Sequence, residues 1–319
     1  MNNSLLTLTY PISPIQEIQN HLLQNKGLKL LIKRDDLIHP QVSGNKWRKL
    51  KYNLLAAKAQ KQNTLLTFGG AFSNHIYATA AAGKVFGFKT IGLIRGERIE
   101  PLNPTLAYAE KVGMELHFIS RSDYRKKEDA IYQKEVRNKF GDFFLIPEGG
   151  TNASAIKGCA ELVDEVKEQL AELPDYWCAA CGTGGTLSGI ISGLNGQKKV
   201  LGFSALKGDF HQKDISKLLH KVSDTLKVSD TLDNWQVNTD YHFGGYAKFK
   251  PTLIDFINTF KKENNIQLEP IYTGKLFYGI YDLIKNNYFP KGSSILAVHT
   301  GGLQGIAGFN RRFGNLIKR

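Results

Sequence analysis

The sequence predicts an α/β fold made of two open, twisted lobes, and three observations support this prediction. Short apolar runs such as TLLTFGG alternate with segments of helical periodicity, at the spacing typical of βαβ units. The alternation occurs in two sets, one before and one after PEGGTN at residues 147–152. Three strand-to-helix turns are rich in glycine, namely FGGAFSNH, CGTGGTLSG and HTGGLQG. We therefore expect two mainly parallel sheets with right-handed crossovers.

The first set begins with the strand LKLLIKRDDL and a helix that starts near Ser43. Strands are then predicted in TLLTFGG, KTIGLIRGE, MELHFIS and FFLIPEGG, and helices in IYATAAAGKVFG and LNPTLAYAEKVG. The basic stretch at residues 121–139 pairs Asp123 with Lys127 and Arg125 with Asp129 at i,i+4 spacing. This pattern predicts one solvent-facing helix between the last two strands.

The second set begins with the helix ASAIKGCAELVDEVKEQLAEL, followed by a strand, glycine loop and helix in YWCAACGTGGTLSGIISGL and by the strand VLGFSAL. Between residues 209 and 245 the pattern weakens, and KVSDTL occurs twice, at residues 221–226 and 227–232. We interpret the repeat as a duplicated surface segment without a catalytic role. The tail returns to two helices and then to a strand, glycine turn and helix in SSILAVHTGGLQGIAGF.

Composition is typical of a globular protein, since 42% of the 319 residues are hydrophobic and 22% are charged. No apolar run approaches the roughly 18 residues of a membrane span, and the first residues lack the features of a signal peptide. An odd number of cysteines, three, fits a reducing compartment, so a cytoplasmic location is expected. Cys178 and Cys181 lie three apart on a predicted strand, where they face opposite sides and act as structural residues.

The formal net charge of +13 raises the alternatives of a nucleic acid or another anionic ligand. No nucleic-acid reader motif accompanies the charge, so we favour a solvated basic surface and expect no nucleic-acid partner. The eight histidines form no HxxxH pair or Cys/His cluster, so no metal site is expected. His299 is interpreted as a packed residue at the end of a strand.

The run Gly182-Thr183-Gly184-Gly185-Thr186 is the best candidate for a phosphate-binding loop. Glycines allow an anion to approach the backbone at a helix N-terminus, and threonine hydroxyls add donors. The run is not a Walker A loop, and it lacks the GxGxxG spacing of dinucleotide sites. A phosphate monoester therefore fits better, with a purely structural turn as the alternative.

Lys46 opens a predicted helix close to Arg48 and Lys49. Neighbouring cations and removal from water both disfavour the ammonium form of a lysine, which is the condition for Schiff-base chemistry. A solvated surface lysine is the alternative reading of this residue.

These motifs together resemble one family, the pyridoxal-phosphate enzymes that include 1-aminocyclopropane-1-carboxylate deaminase and D-cysteine desulfhydrase, within the tryptophan-synthase-β-like group. The resemblance runs from about residue 11 to residue 309, except for residues 209–245. The motifs that carry it, in order, are KRDD at residues 33–36, SGNKWRKL at residues 43–50, GGAFSNH at residues 69–75, PEGGTN at residues 147–152 and TGGT at residues 183–186.

The resemblance implies pyridoxal 5'-phosphate as cofactor and a set of site residues. Lys46 would hold the cofactor and move the proton at the substrate's Cα, with Ser73 and Tyr272 as further catalytic residues. Ser73, Asn74 and His75 would receive the substrate carboxylate. The residues implied to bind the cofactor are Lys46, Asn74, Gly182, Thr183, Gly184, Gly185, Thr186, Tyr272, Thr273 and Thr300.

The resemblance also implies a small lobe, residues 49–147, inserted into a large cofactor-binding lobe of residues 1–48 and 148–319, in a homodimer. Thr273 and Thr300 stand where the cyclopropane-opening branch has glutamate and leucine, which favours α,β-elimination on D-cysteine to pyruvate, hydrogen sulfide and ammonia. The alternatives are 1-aminocyclopropane-1-carboxylate deamination and elimination on another β-substituted amino acid. An alternative of another class is a non-catalytic protein that binds a phosphate ligand or nucleic acid.

Overall fold

The computed structural model describes residues 12–229 and 232–318. Its strands are β1 (Ile15–Ile18), β2 (Lys29–Lys33), β3 (Thr64–Gly70), β4 (Lys89–Arg95), β5 (Met114–Ile119), β6 (Phe144–Ile146), β7 (Tyr176–Cys181), β8 (Lys199–Ser204), β9 (Trp235–Asn238) and β10 (Ser294–Val298). Its helices are α1 (His21–Lys26), α2 (Asn45–Ala59), α3 (Asn74–Phe86), α4 (Pro104–Lys111), α5 (Arg121–Arg125), α6 (Ala130–Phe140), α7 (Ala153–Gln169), α8 (Gly185–Leu194), α9 (His211–Leu226), α10 (Pro251–Asn264), α11 (Thr273–Lys285) and α12 (Gly305–Phe313). Two short 3-10 helices span Asp35–Leu37 and Glu148–Gly150.

The larger sheet joins both ends of the chain. Its strand order is β1-β2-β10-β7-β8-β9, and only the β1–β2 pair is antiparallel. Strand β10 lies between β2 and β7, so the N-terminal strands pair with the C-terminal strand rather than with β3. The sequence pattern alone could not reveal this pairing, because it links strands more than 250 residues apart.

The smaller sheet has the order β5-β4-β3-β6 and is parallel throughout. Together the two sheets confirm the predicted fold class. The predicted lobe boundaries at residues 48/49 and 147/148 stay a prediction, and α2 crosses the first of them as a continuous helix. Within the described residues, no helix has the length and apolarity needed to cross a membrane.

Apolar side chains cover both faces of the larger sheet. One face packs Cys178 and Phe203 against α10 and α11, and the other packs Trp177 and Cys181 against α7 and α8. Cys178 and Cys181 therefore lie on opposite faces, as alternation along a strand requires, and both are buried free cysteines.

The basic stretch at residues 121–139 corrects one prediction. It forms two helices, α5 and α6, because Asp129 accepts hydrogen bonds from the first N–H groups of α6 and so begins a new helix. Asp123 pairs with Lys126, and Lys127 pairs with Glu148, so the expected i,i+4 pairs do not form. The N-cap at Asp129 therefore determines where the helix begins, and the i,i+4 charge spacing does not.

The segment with the weakened pattern contains the 16-residue helix α9, which the sequence reading did not predict. Its buried residues include Ile215, Leu219 and Val222, at the spacing of one helix face. The first KVSDTL copy forms the end of α9, so it contributes Val222 to the core as well as exposed residues. The second copy buries Val228 and extends into residues 230 and 231, which lie outside the described residues.

A buried ionic network ties β2, α2 and α7 together. The Arg48 guanidinium donates to both oxygens of Asp35, at 2.6 and 2.7 Å, and to both oxygens of Glu165, at 2.7 and 2.9 Å. Lys33 pairs with Glu165 at 2.8 Å. Burial alone would raise the pKa of Glu165, but Arg48 and Lys33 outweigh burial and hold that pKa below its usual value. The network fixes the first turn of α2 against the larger sheet.

We expect Arg48→Met to lower the free energy of unfolding by about 3 to 5 kcal/mol, because it leaves the Asp35 and Glu165 carboxylates buried without their cation. Urea denaturation would measure the change. Arg125→Met, at an exposed position of α5, is the matched control and should stay within about 0.5 kcal/mol of the parent. Equal stability of the two variants would contradict the role given to the network.

Candidate functional site

A cavity of about 660 Å³ opens where the carboxyl ends of the strands meet, and it is large enough for a small-molecule site. The three glycine-rich turns predicted from the sequence line it, since they follow β3, β7 and β10. Most of the predicted site residues lie on its wall, namely Lys46, Ser73, Asn74, His75, Gly182, Thr183, Gly184, Thr186, Tyr272 and Thr300. Gly185 and Thr273 are buried immediately behind it.

The turn that follows β10 holds the start of α2 in place. The Asn45 N–H donates to the Thr300 carbonyl at 3.3 Å, and the Asn45 side chain donates to the Thr186 hydroxyl at 2.8 Å. Gly44 has a φ of 68°, and a Cβ there would overlap the Thr300 carbonyl. Only glycine therefore permits this approach, which places Lys46 on the cavity wall.

The Lys46 amine is held in a form suited to nucleophilic chemistry. Its Nζ donates to the Asn45 side chain at 3.0 Å. Burial by the surrounding protein, and then the charge of Lys49, lower the pKa of Lys46 to about 7. The side chain keeps some contact with solvent through the cavity. A large fraction of this amine is thus uncharged near neutral pH.

Lys49, which the sequence analysis noted only as a neighbour of Lys46, completes the glycine loop at the start of α8. Its buried Nζ donates to the Gly149 carbonyl at 3.1 Å and to the hydroxyls of Thr151 and Thr183 at 3.0 and 3.2 Å. A Cβ at Gly185 would lie 3.2 Å from this amine, so glycine keeps the helix N-terminus close to the cation. An ammonium, hydroxyls and a helix N-terminus together fit a phosphate monoester.

The turn after β3 presents Ser73, Asn74 and His75 at the start of α3. The Ser73 hydroxyl caps the helix by accepting from the N–H groups of His75 and Ile76, at 3.2 and 3.3 Å. The Asn74 side chain accepts from the Gln304 amide at 3.0 Å. A carboxylate bound here would compete with the Ser73 oxygen for those N–H groups, while the Ser73 hydroxyl proton stays available to donate.

The His75 ring is buried beside the Lys46 amine. Its Nε2 lies 2.8 Å from the Thr67 hydroxyl, and among the described residues its Nδ1 has no hydrogen-bond partner. Burial, followed by the charges of Lys46 and Lys49, keeps the pKa of His75 well below its usual value. The imidazole is therefore neutral, and its free Nδ1 is an unmet polar group at the site.

Two tyrosines, Tyr272 and Tyr246, form a further part of the cavity wall, called here the tyrosine wall. Tyr272 lies against the glycine loop, since a Cβ at Gly182 would approach its ring to 3.1 Å. Tyr246, which the sequence analysis missed, packs against Tyr272 with ring centroids 6.3 Å apart. Burial is the main cause that raises the pKa of both hydroxyls, so both stay protonated and can donate. No local motif marks Tyr246, which directly follows residues 209–245, where the family resemblance lapses.

Glu269 is a second missed residue, a fully buried carboxylate behind the tyrosine wall. It accepts hydrogen bonds from the N–H groups of Ile271, Tyr272 and Thr273 at 2.7 to 2.8 Å. The Thr273 hydroxyl accepts from the Glu269 N–H at 2.9 Å and also contacts its carboxylate. Burial raises the pKa of Glu269, while these three N–H groups at the start of α11 act against the rise. The expected neutral hydroxyl at Thr273 thus has a carboxyl group directly beside it.

His299 is packed as expected at the end of β10. It is fully buried, and its Nε2 lies 2.7 Å from the Gln267 carbonyl. Its Nδ1 lies 3.5 Å from Asp36 and accepts from the Gly301 N–H. The ring therefore supports the turn that carries Thr300.

The donor set fits pyridoxal phosphate. The glycine loop with Lys49 suits the phosphate, the aromatic wall suits a planar ring, and the Lys46 amine suits the aldehyde. The glycine loop, the aromatic side chains and the Lys46 amine all line the same cavity. The arrangement can bind an anionic aromatic cofactor and present an uncharged amine to it.

Comparison with known proteins agrees with this fit. Residues 6–301 match the family model described as pyridoxal-phosphate dependent enzyme. A bifunctional D-cysteine desulfhydrase/1-aminocyclopropane-1-carboxylate deaminase of Arabidopsis thaliana is 32% identical, over 88% of this chain and 74% of that protein. A D-cysteine desulfhydrase of Salmonella choleraesuis is 26% identical, over 94% of this chain and 93% of that protein.

Among solved structures, one described as an ACC deaminase homologue superposes with a TM-score of 0.83 at 28% identity, and the match covers 98% of both chains. The family resemblance seen in the sequence is thereby confirmed, and so is the cofactor. The chain belongs to the pyridoxal-phosphate-dependent enzymes, in the family of the 1-aminocyclopropane-1-carboxylate deaminases and D-cysteine desulfhydrases.

Proposed function

We propose that the protein catalyses α,β-elimination on a small amino acid, with D-cysteine as substrate and pyruvate, hydrogen sulfide and ammonia as products. The observation that carries the proposal is the Lys46 amine, whose pKa is lowered to about 7 on the wall shared with the glycine loop. An amine that is uncharged near neutral pH can act first as nucleophile and then as base.

Each part of the cavity has a role in holding the cofactor. The loop of residues 182–186 and the Lys49 ammonium would bind the phosphate, Asn74 would donate to the phenolic oxygen, and Tyr272 would pack against the ring. Thr273 and Thr300 would lie near the pyridine side. When bound, the cofactor supplies an aldehyde for amine chemistry and a ring that withdraws electrons from the substrate's Cα.

The substrate side consists of the turn after β3 and the two tyrosines. Ser73, Asn74 and the N-terminus of α3, with His75 beneath it, bind the substrate carboxylate. Lys46 removes the proton from Cα. The Cβ–S bond then breaks, the sulfur leaves with the electron pair, and the protonated hydroxyl of Tyr272 or Tyr246 donates a hydrogen bond to it. The unsaturated amine takes up water and yields pyruvate and ammonia.

Deamination of 1-aminocyclopropane-1-carboxylate is a second candidate, and one observation favours it. Ring opening of a substrate without an α-hydrogen depends strongly on electron withdrawal, which a carboxylate near the pyridine side assists. Thr273 itself is neutral, but the Glu269 carboxyl group contacts its hydroxyl. The homodimer and the cytoplasmic location expected from the sequence stay predictions for either function.

The holoenzyme should produce pyruvate from D-cysteine and little or no 2-oxobutanoate from 1-aminocyclopropane-1-carboxylate, as measured with a coupled dehydrogenase assay. Lys46→Ala should abolish the activity, because Lys49, the other lysine that lines the cavity among the described residues, has its amine occupied by the Gly149 carbonyl and two threonine hydroxyls. Lys58→Ala, at an exposed position of the same helix, is the matched control and should keep full activity. Turnover by Lys46→Ala would refute the assignment, while equal rates on both substrates would refute only the preference for elimination.

The pH dependence of covalent capture should report the lowered pKa of Lys46. In apo-protein, the rate of reaction with pyridoxal, which lacks the phosphate, should rise about tenfold per pH unit below pH 7 and level off above it, since only the uncharged amine reacts. Trapping with borohydride at timed intervals would measure this rate.

Lys49→Met provides the internal test of that profile. Removing the neighbouring positive charge raises the pKa of Lys46, so the midpoint should move to higher pH and the rate near pH 7 should fall. Pyridoxal needs no phosphate site, so a loss of phosphate binding cannot mimic the shift. An unchanged midpoint would show that Lys49 does not influence the amine.

A further inference from the structure

Three arginines line the mouth of the cavity and take no part in the roles assigned so far. They come from separate elements, with Arg95 at the end of β4, Arg121 at the start of α5 and Arg312 in α12. Within residues 12–229 and 232–318, none of the three forms a salt bridge with a carboxylate. Their guanidinium groups therefore bring uncompensated positive charge to the entrance of the site.

Arg95 is held in position more firmly than an ordinary surface arginine. Its guanidinium carbon lies 5.3 Å from the centre of the Tyr124 ring, a cation–π distance. Its Nη2 would lie 3.6 Å from a Cβ at Gly70, which places the head group beside the turn that leads to Ser73. The Arg95 charge also acts against the rise that burial causes in the pKa of Tyr246, so the guanidinium lies near the tyrosine wall.

The one carboxylate on the cavity wall, among the described residues, does not neutralise Arg95. Glu148 accepts a hydrogen bond of 2.6 Å from the Tyr124 hydroxyl and pairs with Lys127 at 3.4 Å. Tyr124 thus supports the guanidinium with its ring face while its hydroxyl occupies Glu148. Within the part of the chain that the structure describes, no hydrogen bond or ion pair occupies the Arg95 donors, so they are available to a ligand in the cavity.

The proposed function already requires two anionic groups, and each is assigned to a part of the cavity other than the three arginines. The cofactor phosphate is assigned to the glycine loop and Lys49, and the substrate α-carboxylate to the turn after β3. A planar guanidinium matches a carboxylate, sulfonate or phosphate in geometry, and it gains most where solvent is partly excluded. Three arginines at the mouth of one cavity carry more positive charge than an amino acid with an uncharged side chain can pair with.

We propose that the cavity selects amino acids that carry a second negative charge on the β-substituent, bound by Arg95 with Arg121 and Arg312. The inference rests on the proposed function and narrows its substrate class. Cysteine belongs to this class only as its thiolate, whereas O-phosphoserine belongs to it at all pH values near neutrality. With O-phosphoserine the Cα–H and Cβ–O bonds break, phosphate leaves with the electron pair of the Cβ–O bond, and water converts the unsaturated amine to pyruvate and ammonia.

Aspartate and asparagine provide the sharpest probe, because they have nearly the same shape and differ by one charge. Each enantiomer would be titrated into the holoenzyme, and the change in the visible absorbance of the cofactor would give the dissociation constant without turnover. For the enantiomer that binds more tightly, aspartate should bind about tenfold more tightly than asparagine. The ratio should fall as ionic strength rises.

Arginine variants would locate the effect. Arg95→Gln should reduce the ratio of the two dissociation constants, and the triple change of Arg95, Arg121 and Arg312 to glutamine should bring it close to one, with little effect on asparagine. Arg125→Gln, on the same short helix as Arg121 but outside the cavity wall, should leave the ratio unchanged.

A ratio near one in the parent protein, or a ratio that Arg95→Gln leaves unchanged, would overturn the proposal, as would an absence of any response to aspartate. The outcome is separable from the proposed function. Pyruvate from D-cysteine without a preference for aspartate refutes only the arginine site. A preference for aspartate that depends on Arg95, in a protein that forms no pyruvate from D-cysteine, refutes only the choice of that substrate.

Discussion

The ion pairs of Arg48 with Asp35 and Glu165 are the interaction on which the site depends. Arg48 is buried and two residues from Lys46 on the same helical turn, so the contacts that fix Arg48 also fix the direction in which Lys46 leaves the helix. The turn at Thr300 holds the other side of that helix start. Buried ion pairs add little net stability on average, but separating the partners costs several kcal/mol. These pairs therefore hold the start of α2 in one arrangement.

The same fold concentrates positive charge around one cavity. Lys46, Lys49 and three arginines lie on its wall, and burial lowers the pKa of both lysines. An anionic ligand in this cavity would relieve the repulsion among these cations, so its binding would stabilise the folded protein. Burial by the surrounding protein, and then the charge of Lys49, lower the pKa of Lys46, so the uncharged amine on which the proposed chemistry relies is a consequence of where the fold places this lysine.

Sequence reasoning succeeded where local signals were strong. Glycines marked the three turns that line the cavity, and the family resemblance carried by SGNKWRKL pointed to Lys46, which lies on the same wall. It failed where a role depends on distant contacts, since Lys49 reaches Thr151 and Thr183. Glu269 was also missed: its hydrogen-bond partners lie only two to four residues along the chain, but its burial beside the cavity depends on the whole fold. Helix α9 was missed because the repeat at residues 221–232 obscured its apolar face. The division of residues 121–139 was missed because the cap at Asp129 outweighed the charge spacing.

The identity of the lysine that reacts with the cofactor can be measured on the unmodified protein. The holoenzyme would be reduced with borohydride, digested, and its peptides mapped by mass spectrometry for the pyridoxyl group. The group should be found on Lys46 alone, in one equivalent per chain, since its amine is uncharged near neutral pH and faces the cavity. A pyridoxyl group on Lys49, or spread over exposed lysines with Lys46 unmodified, would contradict the assignment of Lys46 as the lysine that carries the chemistry.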